Sequence, residues 1–73
     1  MGTLTLLTLL NFVAADFCKS RYAGVDTLKA VLVAYSKAND KWGGSEVRRV
    51  ISTAPGIEAA AVAIVVSKCP NQL

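Results

Sequence analysis

Histidine does not occur in this chain. Its absence removes the commonest general base, the usual activator of a serine or cysteine nucleophile, and the commonest metal ligand. Cysteine occurs twice, at Cys18 and Cys69, and never in C-x-x-C spacing. Two thiols alone do not complete a tetrahedral zinc site, so neither a metal nor another cofactor is expected. Aromatic residues are scarce, at 7 %. No run of like charge occurs, and Arg48-Arg49 is the one adjacent basic pair. A net charge of +3 carried by scattered residues reads as a solvated face rather than a phosphate-binding patch, which argues against a nucleic-acid partner. No uninterrupted apolar stretch reaches the ~20 residues of a membrane span. The best candidate, residues 57–66, is half as long and contains Glu58.

Paired carboxylates are missing as well. Asp16, Asp26, Asp40, Glu46 and Glu58 are spread singly. Helix capping and complementarity to helix dipoles account for most of them, with Asp16 and Asp26 placed near helix ends and Glu46 and Glu58 in first turns. Glu58 is the least comfortable, because its segment is so apolar; buried, it would need a partner such as an arginine. Gly43-Gly44-Ser45 lacks the lysine and the spacing of a phosphate loop and reads as a turn and a cap. An enzyme is the least expected class.

What is present is a surplus of aliphatic residues. The hydrophobic fraction is 53 %, mostly Ala, Val and Leu, which suits closely packed helices and excludes disorder. The 73 residues make one domain, residues 1–73. A domain this small hides only about 60 % of the surface its unfolded chain exposes, so a staple or oligomerisation is expected to support it. Residues 1–15 resemble a leader, with Val13-Ala14-Ala15 like a cleavage site, but no basic residue precedes the apolar stretch. The segment therefore reads as the first helix.

The periodicity predicts an all-α fold, a compact bundle of about four helices stapled by one disulfide. The first helix spans roughly residues 3–20, with Leu6, Leu10, Val13 and Phe17 on one face and Leu7, Ala14 and Cys18 beside them. Tyr22-Ala23-Gly24 breaks it, and Asp26 is placed to cap the second. There Leu28, Val31, Leu32 and Tyr35 keep the i, i+3, i+4, i+7 spacing of a core-facing stripe, and Asn39 suits a left-handed exit. Residues 40–44 form the main loop, with Ser45 capping a short third helix that places Val47, Val50, Ile51 and Ala54 on one face. Pro55-Gly56 separates it from the fourth, with Pro55 as first helical residue. The fourth, 57–66, is apolar nearly all round, so it is expected at the centre of the bundle, with Cys69 on the stripe of Val62 and Val66.

Cys18 and Cys69 admit three states: an internal disulfide, two inter-chain disulfides in a homodimer, or two unpaired buried thiols. The even count favours the internal bond, which would place the protein outside a reducing cytosol. Trp42 reads as a lid over one end of the core, and as an exposed anchor it would be a binding hot spot. With Arg48 and Arg49 it completes the set of candidate binding side chains.

The chain resembles small exported actinobacterial proteins, many of them mycobacterial, grouped as a domain of unknown function. The resemblance lies in a helical stretch ending near Cys18, the stretch 47–51, Gly56, the Ala/Val-rich residues 60–66, and the closing Cys69-Pro70. It implies export, an internal disulfide and a helical fold, and supplies neither a catalytic residue nor a substrate. The expected function is a small extracytoplasmic binding module without catalysis, secreted, whose groove receives an apolar small ligand or a protein partner's helix. A membrane-active bacteriocin-like peptide and a cytosolic helical assembly subunit with reduced thiols are the alternatives.

Overall fold

A computed structural model describes residues 4–53 and 55–72. Thr5 ends the extended entry to the first helix and accepts a hydrogen bond from the Thr8 amide, the capping role its hydroxyl suits. Helix α1 then runs Leu6–Tyr22. It starts later than the predicted residue 3, which lies outside the described residues. Ala23 and Gly24 turn the chain, and the Asp26 carboxylate caps helix α2, Thr27–Trp42, through the Lys29 amide. Helix α3 covers Gly44–Ser52, helix α4 covers Ile57–Lys68, and a 3-10 turn at Pro70–Gln72 follows. The all-α bundle of four helices expected from the periodicity is the fold.

Three further boundaries differ from expectation. Helix α1 continues through Tyr22, which the expected break included. The main loop at 40–44 shrinks to one residue, because α2 continues through Asn39 to Trp42. Gly43, at φ 92, ends α2 and begins α3. Only a residue without Cβ reverses direction there cheaply, so Gly43 replaces Asn39 as the exit and Ser45 as the cap. Similarly, left-handed Gly56, and not Pro55, borders α4. Ala54, expected on the apolar face of α3, lies outside the described residues.

Helix α1, not α4, is the hub. Leu9, Leu10, Val13, Ala14, Phe17 and Cys18 are all buried along it. Its first half packs with Ala34 and Ala38 of α2 and Val47 and Val50 of α3. Its second half packs with Ala30 of α2 and with Val65 and Cys69 at the end of α4. Helix α2 therefore runs antiparallel to α1, and α4 runs parallel to α1. In α4 only Val65 is buried, while Val62 and Val66 are exposed. An all-round apolar helix need not be central when one side rests on α1 and a covalent bond anchors its end.

The face of α2 is also corrected. Ala30, Ala34 and Ala38 are fully buried, whereas Leu28 and Leu32 are 68 % and 62 % exposed. Both stripes are apolar at helical spacing. The alanine stripe brings the two helix axes closer, and close approach places more backbone and Cβ surface out of water. Lys37 and Asp16 join the two helices at 2.9 Å, a tertiary role for Asp16 rather than the expected end position. A direct consequence follows for mutation. Ala34→Leu forces the helices apart and is expected to cost about 1–3 kcal/mol. Leu32→Ala on the opposite face changes stability by at most about 0.5 kcal/mol. Urea unfolding of the two variants checks the contrast, and equal losses would restore the leucine stripe to the core.

Candidate functional site: an apolar groove between two helices

Cys18 and Cys69 form an internal disulfide with Cα atoms 5.9 Å apart, closing a sequence separation of 51 residues. Both are buried. Among the described residues no free cysteine remains. The bond fixes the C-terminal end of α4 beside the C-terminal part of α1.

That anchorage shapes a groove. Helices α2 and α4 flank α1 and leave between them an open channel of about 330 Å³. Val13 and Phe17 of α1 form its floor. Val31 and Tyr35 stand on the α2 side, and Ala61, Val62 and Val65 on the α4 side. Thr27, the first residue of α2, and Glu58, in the first turn of α4, also line it. Because α2 and α4 are antiparallel, these two polar groups lie toward opposite ends. Glu58 is exposed and makes no hydrogen bond or ion pair among the described residues, so it needs none of the arginine partners expected for a buried position. Burial pushes the Tyr35 phenol above its ordinary pKa, so it stays protonated across the physiological range.

The residues singled out in the sequence lie elsewhere. Trp42 is half-buried in the last turn of α2, edge-on to Phe12 with ring centroids 5.0 Å apart, and the Lys41 ammonium lies 5.4 Å from the Trp42 ring. It packs against the core cluster that α1 and α2 share with α3. Arg49 donates to both Glu46 carboxylate oxygens at 2.9 Å and to the Leu4 carbonyl at 3.2 Å. The bonds from Arg49 hold the Glu46 carboxyl below its usual range, and the one to Leu4 ties α3 to the entry of α1. Arg48 is exposed beside a second hollow between α2 and α3, lined also by Asn39 and Ser52. The structure thus brings none of Trp42, Arg48 and Arg49 to the groove. Sequence reasoning marked a groove in general terms but not its residues. The usable signal was the Leu28/Val31/Leu32/Tyr35 stripe: Val31 and Tyr35 pack against the core clusters as expected and also line the groove, while Leu28 and Leu32 are exposed.

Among the described residues no group of three or more metal-binding side chains gathers. No single described helix is long and apolar enough to cross a membrane; α3 and α4 together have the length and composition but meet at 105°. No protein family, no curated protein and no solved structure matches this chain.

Proposed function

We propose that the protein is a non-catalytic, extracytoplasmic binding module whose α2/α4 groove takes an apolar segment of its partner or ligand. The single observation that carries this reading is the groove itself: almost wholly aliphatic and aromatic, open to solvent, and floored by the hub helix. A volume of about 330 Å³ sits at the lower end of ligand clefts, enough for an apolar chain or a few side chains. The buried disulfide supports an oxidising compartment, since such bonds persist chiefly outside the cytosol. The resemblance to exported two-cysteine proteins points the same way. A bacteriocin-like activity is less favoured, because the basic residues do not line one helix face.

Nile red reports the site. Its fluorescence is expected to rise and saturate with the oxidised protein, and Ala61→Trp, which fills the groove from α4, is expected to abolish the rise. No binding, or binding indifferent to that substitution, sinks the reading. Export is tested separately by thiol titration of the protein from its source: two reactive thiols in the folded protein would remove the extracytoplasmic assignment.

A further inference from the structure

The groove does not stop at its walls. Leu28 and Leu32 are 68 % and 62 % exposed, and Val62 and Val66 are 54 % and 43 % exposed. Leu28 lies one turn from Val31, and Leu32 one turn from Tyr35, on the α2 wall. Val62 lines the α4 wall and Val66 follows it one turn later on the same face. Both lips therefore carry large aliphatic side chains in water. A small apolar ligand seated in the channel would touch Val62 and leave Leu28, Leu32 and Val66 exposed. A helix lying along the channel covers floor and lips together.

Charge decides what kind of helix fits. Among the described residues, Glu58 is the sole charged side chain lining the groove and has no hydrogen-bond or ion-pair partner, and it stands toward the end remote from the disulfide. A concave apolar channel with an acid at one end suits neither an anionic lipid surface nor an acidic segment. It suits a basic side chain, and a helix holds a basic side chain best in its last turn, where the dipole is negative.

Resting on the binding-module reading above, we propose that the groove docks an amphipathic helix of a partner protein. The helix lies antiparallel to α4, its apolar stripe over the channel and lips and a lysine or arginine of its last turn against Glu58.

Two peptides of about four helical turns test this, each with one Leu stripe and otherwise Ala, Ser and Gln. They differ in carrying their lysines in the last or in the first turn. Both are titrated calorimetrically into the oxidised protein, its Glu58→Gln variant and its Leu32→Lys variant. The altered side chains are exposed, and circular dichroism verifies their fold. The last-turn peptide is expected to bind about two- to five-fold tighter, Glu58→Gln to erase the difference, and Leu32→Lys to weaken both peptides about ten-fold or more. Equal binding of the two peptides, unchanged in Glu58→Gln, overturns the charge-directed helix while leaving the groove standing. Nile red binding without peptide binding overturns the helix in favour of a small ligand. Loss of both Nile red and peptide binding overturns the groove reading as well. Self-association abolished by Leu32→Lys makes a second copy the occupant, and binding only to phosphatidylglycerol vesicles makes it a membrane; either overturns the proposal.

Discussion

Replacing both cysteines by alanine, Cys18→Ala with Cys69→Ala, is expected to remove about 4 kcal/mol of stability, because the bond closes a loop of 51 residues and its loss frees the unfolded chain. Alanine is the right replacement, since both positions are buried in the second core cluster and a serine hydroxyl there would need a partner. A domain of this length has a total stability of only about 4–11 kcal/mol, so the variant sits near the edge of folding. Thermal unfolding should drop by about 15–30 °C, and dithiothreitol should act on the parent protein in the same direction. The loss is not spread evenly. Helix α4 buries only Val65, so its hold on α1 depends on Cys69 more than on packing. Amide exchange in α4 is therefore expected to accelerate ahead of exchange in α1 and α2. A fall in melting temperature below about 5 °C, or uniform acceleration in all helices, would show that packing alone holds α4. The groove depends on that position of α4, so the same variant should also bind Nile red less well than the oxidised protein.

Leu9→Ala is the second large effect. Leu9 is 0 % exposed and is the largest fully buried aliphatic side chain. It joins α1 to Ala34 and Ala38 of α2 and to Val47 and Val50 of α3. Its truncation leaves a void among three helices, and the expected cost is about 2–5 kcal/mol. Ala38, opposite it, is too small to move in and fill the space. Leu7, two residues earlier and 66 % exposed, serves as the control, with Leu7→Ala within about 0.5 kcal/mol. Urea denaturation of both variants separates the cases. A loss below about 1 kcal/mol for Leu9→Ala would mean that α3 can collapse onto α1, and that the contact between them is less tightly set than the burial implies.

The residue pattern announced more of the fold than of the site. Asp26 was readable as a cap because its carboxylate finds the Lys29 amide within its own turn. Tyr22-Ala23-Gly24 was readable as a break for equally local reasons, although α1 runs on through Tyr22. Asn39 and Ser45 misled, since each has a good terminal propensity but Gly43 alone takes the positive φ that reverses the chain. The groove was not readable, because its lining comes from three helices and its existence depends on how far α2 and α4 stand apart.

By itself, the amino-acid order determined the helical class, the approximate segments, several helix ends and the candidacy of two cysteines for one bond, because these follow from neighbours within a turn or two and from counting. Tertiary structure alone decided which apolar stripe of α2 faces inward, which helix is the hub, and that Leu28, Leu32, Val62 and Val66 remain in water beside an open channel. Periodicity scores alanine and leucine alike as apolar. Only the volume available between two packed helices tells them apart.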